Sequence, residues 1–396
     1  MNIGLALSGG GFRALVFHLG VLARLAEEDQ LENVTYLSTV SGGSLAAGLI
    51  VAANGYTWPT SAEYLEDVLP RVRSQVTTNG LQRALLWRQL RKVLTIFETR
   101  ADDVSVLIKE RWGIDINLDQ LPKTPRWMIN ATCYETGKNW RFERFRMGDY
   151  AFGYTYDVKL PLADAMAASA AFPALIGPLV LDIGTRSWFK YNDSTEELDT
   201  PEVHQQRKTR PHTPKYQEVH LWDGGVYDNL GLEGLHDFRT GWPQIDFLVV
   251  SDASGIFGDA EYKQGVPALL RMASGIMKNQ IRALQSRAVL ERIIDHRDSG
   301  NYLRTGNYCE AILRTAWREE IKKDPQKLEE IMRMCEGSLN EAEARYCADM
   351  GTEIGSLSNE DYEKLFQHGF DVADATFFAY NGHIFNYIGF KNTRWA

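Results

Sequence analysis

Long apolar runs are missing from this chain. None of its 396 residues falls in a stretch of about 18 consecutive apolar side chains, so no membrane-spanning helix is expected. An excess of positive charge is missing too: 43 lysines and arginines face 52 aspartates and glutamates, a net charge of −9, whereas a nucleic-acid partner calls for a basic surface. Cysteine is sparse. Cys133, Cys309, Cys335 and Cys347 have neither metal-ligand spacing nor that of a compact disulfide framework, so reduced thiols and no metal site are expected. No Gly/Ser/Pro-rich linker divides the chain and no repeat runs through it. Asn2 to Ser8 lack the charged n-region of a secretory signal, and a cytoplasmic protein is expected, meeting a membrane at most at its periphery.

The pattern that is present alternates strands with helices. Ile3 to Leu7 reads as a short buried strand, Ser8 to Gly11 as a loop, and Phe12 to Glu28 as a helix with Leu15, Leu19, Leu22 and Leu25 at helical spacing. Strand 2–7, helix 13–29, strand 34–40 and helix 42–53 make a βαβ unit. Its right-handed crossover puts the loop after the first strand and residue 41 at the same carboxyl edge of a parallel sheet. Two antiparallel strands are expected over 126–134 and 140–147, further strands near 216–222 and 245–251, helix over most of 260–295, and a charged helical tail over 324–379.

Three segments carry chemistry. In Ser38-Thr39-Val40-Ser41-Gly42-Gly43-Ser44 a strand turns sharply into a helix, and a serine at such a corner projects its hydroxyl clear of the backbone. Thr39 stands where the elbow pattern G-x-S-x-G has its first glycine. Gly9-Gly10-Gly11 lets backbone N–H groups converge at a helix N-terminus, where the dipole favours negative charge, as an oxyanion hole requires. Neither the P-loop pattern nor G-x-G-x-x-G is completed there, so no nucleotide cofactor is expected. Far downstream, a strand ends at Asp223-Gly224-Gly225, and the two glycines let the backbone curl away from the carboxylate.

Together these segments resemble the patatin-like phospholipase family over roughly residues 2 to 255. Gly9-Gly10-Gly11-Phe12-Arg13 is similar to the family's G-G-G-x-[RK] loop, and His18-Leu19-Gly20-Val21-Leu22 to the helix after it. Ser41 falls on the nucleophile and Asp223 on the catalytic aspartate, while Ala168-Ser169-Ala170-Ala171-Phe172-Pro173 looks like the A-S-x-A-x-P segment. The resemblance implies an α/β, three-layer fold whose central, mostly parallel sheet carries helices on both faces. It implies a Ser41–Asp223 dyad without histidine, an oxyanion hole at Gly9, Gly10 and Gly11, and Arg13 as the contact for a substrate phosphate. The substrate would be a phospholipid or lysophospholipid ester, with no cofactor and no metal. A catalytic domain over residues 1–300 and a mainly helical extension over 301–396 packed on it are expected.

Two alternatives stay open. His236, His296, His368 and His383 all follow Asp223, so chain order permits the Ser-Asp-His triad of an α/β-hydrolase. Alternatively, the domain is inactive until a partner or signal assembles it; the sequence gives no oligomeric state. Two segments are candidates for controlling access: the polar stretch Ser194 to Tyr216, and Leu81 to Phe97, where apolar residues share a helical face opposite Arg88, Arg91 and Lys92.

Overall fold

A computed structural model describes residues 1–78, 100–173, 176–191, 209–236, 241–242, 244–351 and 357–395. The stretch Leu81 to Phe97 and most of Ser194 to Tyr216 lie outside them. In chain order, β1 (Ile3–Leu7), β2 (Val34–Val40), β3 (Arg126–Cys133), β4 (Lys138–Phe142), β5 (Met147–Asp149), β6 (Gly153–Thr155), β7 (Leu179–Asp182), β8 (Trp188–Tyr191), β9 (Thr209–His212), β10 (Glu218–Asp223), β11 (Phe247–Asp252) and β12 (Gly300–Arg304) share one sheet. The run β12-β11-β1-β2-β3 is parallel; every pairing beyond it is antiparallel.

Both faces of the parallel half are covered, which is why its strands read as nearly continuous apolar runs. Leu5, Leu7, Phe247 and Val249 point into one core with α1 (Gly11–Ala26) and α2 (Gly42–Ala53). Their neighbours Ala6, Leu248 and Val250 point into a second core with Leu230, Leu232 and Leu235. Completing the helices used below are α3 (Leu162–Ser169), α4 (Lys278–Asp295) and α5 (Asn359–Asn381). The result is an α/β fold with helices on both faces of a central sheet.

Helix α5 lies directly on α1. A methyl on Gly20 would stand 2.0 Å from the Phe366 carbonyl oxygen, and one on Gly369 2.0 Å from that of Phe17, so a glycine on each helix lets the backbones approach. Arg24, fully buried on α1, donates to Asp374 of α5 and to Glu28 at 2.8 Å. Strand β12 pairs with β11 in register Leu248 to Gly300, so residues beyond 300 contribute to the central sheet itself.

The strand expected over 140–147 is interrupted after Phe142, for an electrostatic reason. Glu143 turns inward, where burial pushes its carboxyl up but the Arg126 and Arg146 guanidiniums, at 2.7 and 2.9 Å, outweigh that and hold it down to about 2. Its backbone closes a turn onto the Arg146 carbonyl, and pairing resumes at Met147 as β5.

Candidate active site

The register of β3 brings the site together. Along β3, Asn130 pairs with Val40 at the end of β2, and the next residue, Ala131, pairs with Asp223 at the end of the antiparallel β10. Strands β2 and β10 thus meet end to end on one edge of β3, so Ser41 and Asp223, remote in sequence, arrive at adjacent places. Gly224 is required at this junction, since a methyl there would lie 2.4 Å from the Asn130 carbonyl oxygen.

Ser41 occupies the corner between β2 and α2 with φ 50° and ψ −115°, a left-handed conformation that costs on the order of 1–3 kcal/mol outside glycine. Its N–H donates to the Ser169 hydroxyl at 3.0 Å. Ser169 in turn bonds the Ser44 hydroxyl at 2.8 Å, which bonds that of Thr39 at 2.8 Å, and the Trp127 indole N–H donates to Thr39 at 2.9 Å. Thr39, the departure from the elbow pattern, is therefore an anchor of the turn. Ser169 at the end of α3 was singled out in the sequence only as part of a motif; its role as support for the corner is visible only in the fold.

The glycine loop presses against this corner. A methyl on Gly42 would lie 2.2 Å from the Gly11 carbonyl oxygen, and one on Gly9 3.2 Å from the Ser41 Cβ. Gly10 and Gly11 adopt φ 151° and 62°, and their N–H groups, at the N-terminal end of α1, have no partner among the described residues. Gly9, expected beside them as an oxyanion donor, is already engaged: its N–H donates to the Asn229 carbonyl at 3.0 Å. The sequence assigns no role to Asn229. It follows the Asp223 turn, and its side chain donates to the Ser254 hydroxyl at 2.7 Å, tying the glycine loop to the ends of β10 and β11.

Asp223 is buried. Its N–H donates to the Ala171 carbonyl at 3.0 Å, its carbonyl accepts from the Thr132 hydroxyl at 2.8 Å, and its carboxylate accepts from the Gly225 N–H at 2.6 Å. Burial raises its pKa, while Lys278, the Gly225 N–H and the Ser41 hydroxyl pull it back down. A carboxylate raised in this way is a better base than one in water. No histidine is bonded to Ser41 or Asp223 among the described residues. His368 accepts from the Gly306 N–H at 3.0 Å, His383 lies 3.2 Å from Asp298, and His236 packs on Trp242.

The two cations near the site differ in kind. Arg13 is buried, and its Nη groups donate to the carbonyls of Ala348, Met350 and Ala253 at 3.1, 2.6 and 3.2 Å. A substrate phosphate at Arg13 has to compete with three carbonyls. Lys278, at the start of α4, is half-buried, and among the described residues its ammonium has no hydrogen-bond or ion-pair partner. A methyl on Gly225 would lie 3.2 Å from its Nζ and 2.9 Å from the Asp223 Oδ1, so ammonium and carboxylate face each other across the space above Gly225. The Phe172 ring centre is 5.5 Å from the same Nζ. Sequence periodicity placed Lys278 on a helix but gave no sign that the helix borders the site. Among the described residues no group of three or more His, Cys, Asp or Glu is placed to hold a metal ion, and no helix is long and apolar enough to cross a membrane.

Comparison with known proteins bears on the family. No curated protein matches the chain in sequence. Among solved structures, human GIVD cytosolic phospholipase A2 is similar with TM-score 0.49 and 14% identity, over 94% of this chain and 58% of that one. The same human protein in complex with methyl gamma-linolenyl fluorophosphonate gives TM-score 0.47 and 12% identity, over 94% and 57%. The chain thus spans less than two thirds of the length of those proteins. The model of the patatin-like phospholipases matches residues 5–236, a span that runs from the glycine loop through Ser41 to Asp223, and the chain belongs to that family.

Proposed function

We propose that this protein is a lipid acyl hydrolase that cleaves ester bonds of phospholipids or lysophospholipids through Ser41 and Asp223. Asp223 accepts the Ser41 proton as the hydroxyl oxygen attacks the ester carbonyl, and the N–H groups of Gly10 and Gly11 receive the developing oxyanion. Collapse of the tetrahedral intermediate expels the alcohol, which takes the proton back from Asp223, and leaves Ser41 acylated. Water, deprotonated by the same aspartate, then releases the fatty acid. The oxyanion donors carry much of the rate, since losing one such donor typically costs ~10²–10³ in kcat.

The observation that supports this reading is the end-to-end meeting of β2 and β10 on β3, which brings Ser41, with its left-handed backbone, next to the buried Asp223, while the Gly10 and Gly11 N–H groups have no partner among the described residues. It also favours a dyad over a triad, because among the described residues the groups acting on Asp223 are Lys278, the Gly225 N–H and the Ser41 hydroxyl, with no imidazole among them. The test is turnover of a soluble short-chain ester and of lysophospholipid by Ser41→Ala and Asp223→Asn. Each is expected to lose about 10³-fold or more in kcat with its melting temperature unchanged, and the double variant little more than either alone. An Asp223→Asn protein with a tenth of the wild-type kcat would remove the aspartate from its role.

A further inference from the structure

The helix that borders the candidate site turns apolar side chains outwards. Residues 266–295 form one continuous helical rod, in which Arg271–Met277 winds more widely before α4 begins. Among the described residues of α4 only Val289 is fully buried. Leu269, Met272, Ile276, Met277, Ile281 and Leu284 are exposed, Leu269 by 67% and Met277 by 61%. Their spacing of three and four residues lines them along the rod for about 22 Å at 1.5 Å per residue. Ordinary surface helices put such residues inward, and a contiguous exposed apolar stripe marks an interaction site.

Charge narrows the partner. Between Tyr262 and Leu290 the chain carries Lys263, Arg271, Lys278, Arg282 and Arg287 and not one acidic residue, within a protein of net charge −9. Arg271 stacks over the Phe257 ring at 4.5 Å, which joins the preceding loop to the same face. Lys278 connects that face to the site, since its ammonium, without a hydrogen-bond or ion-pair partner among the described residues, looks across Gly225 at Asp223. An apolar stripe on a basic stretch of chain, with Lys278 of the same helix facing Asp223, fits the headgroup boundary of an anionic lipid layer.

We propose that residues 266–287 dock the protein onto an anionic phospholipid surface, the apolar stripe entering the headgroup boundary and Lys278 meeting the phosphate of the lipid presented to Ser41. The proposal rests on the acyl-lipid reading above. It assigns docking to this helix and not to Leu81 to Phe97.

The test is sedimentation of the Ser41→Ala chain with vesicles of phosphatidylcholine, alone or mixed with phosphatidylglycerol. Binding is expected with the mixed vesicles and is expected to weaken with salt, because surface charges are screened over about 8 Å at physiological ionic strength. Replacing Leu269, Met272 and Ile276 together by serine should weaken it at least about tenfold, because each change removes apolar surface that would enter the boundary. Lys278→Gln should weaken binding to the mixed vesicles alone, by about fivefold, the equivalent of ~1 kcal/mol per charge near the surface. Circular dichroism melts report folding, and Leu269→Ser alone serves should the triple variant unfold. A wild-type chain that ignores both vesicles, or a triple variant that binds as wild type, overturns docking. So does a triple variant that turns an oligomer into a monomer while still binding vesicles, since the stripe would then join copies of the chain. Sedimentation of the Ser41→Ala chain reads docking without turnover. Were that variant as active as wild type on a soluble ester, the catalytic reading would fall while the vesicle result stood.

Discussion

At the scale of single residues, a strained candidate nucleophile needs neighbours that hold the strain. Ser41 keeps its left-handed backbone because its N–H has a buried acceptor in the Ser169 hydroxyl, and because Ser44 and Thr39 complete the chain of hydroxyls down to the Trp127 indole. Ser169→Ala leaves the Ser41 N–H without its acceptor, a buried polar loss of ~1–3 kcal/mol, while the Ser44 hydroxyl keeps Thr39. Since Ser169 positions Ser41, kcat for a soluble ester is expected to fall about tenfold with KM within twofold of wild type. A rise in KM alone, or a melting temperature that drops while kcat holds, would make Ser169 structural only. That the Ser41 corner, the glycine loop and Asp223 belong to one candidate site was legible in the sequence, because each lies in a short motif whose residue types fit one job. Ser169, Asn229 and Lys278 were not, because their jobs are set by what lies across the fold. The same holds for Arg13 and Gly9: their types suit phosphate and oxyanion, yet carbonyls from distant loops engage the Arg13 Nη groups and the Gly9 N–H is spent on Asn229.

At the scale of elements, periodicity located β2 and α2 to the residue and placed the first crossover correctly, because both strands are buried on two faces and the helix between them is apolar nearly all round. It failed where a polar contact breaks the pattern, as at Glu143, and it gave no pairing for α5. The sequence pattern makes that helix part of a charged tail, although Phe366, Phe370, Val372, Ala373 and Phe377 are buried. What seats it on α1 is a pair of glycines, Gly20 and Gly369, a signal invisible without knowing which helices cross. Gly369→Ala forces a methyl against the Phe17 carbonyl, backbone that cannot step aside, and is expected to destabilise the fold by about 1–3 kcal/mol or more. Urea denaturation at constant m checks this; a midpoint equal to wild type would mean the helices part without cost.

At the scale of the whole molecule, α1 is the shaft between the chemistry and the C-terminal helices, with the glycine loop at one end and α5 along its length. Two neutral histidines are sealed around it. His18 bonds the Ser251 hydroxyl and the Ser8 carbonyl, at 2.8 and 2.9 Å, and His368 of α5 accepts from Gly306; the Phe17 ring lies against both. Burial lowers their pKa values to about 4 and about 3, although Ser8 and Asp252 pull His18 partly back. Unfolded histidine titrates near 6.5, so between about pH 6.5 and these values the unfolded chain binds protons that the folded chain refuses. Each histidine therefore costs stability as pH falls through that window and nothing above it. Asp371, pushed up by burial to about 8, runs the other way: its folded form holds a proton that the unfolded chain has released, which lowers stability as pH rises from about 4 to 8. The opposed slopes make the total a poor test, and the difference between two chains a good one. His368→Gln keeps an acceptor for the Gly306 N–H but cannot take up a proton. Its stability relative to wild type should therefore improve on acidification from about pH 7 to pH 4.5, by roughly 1.4 kcal/mol for each unit below 6.5. Parallel urea melts at the two pH values decide it: a gap that stays constant means His368 titrates normally in the folded chain, and that α5 parts from α1 readily enough to admit water and protons behind the glycine loop.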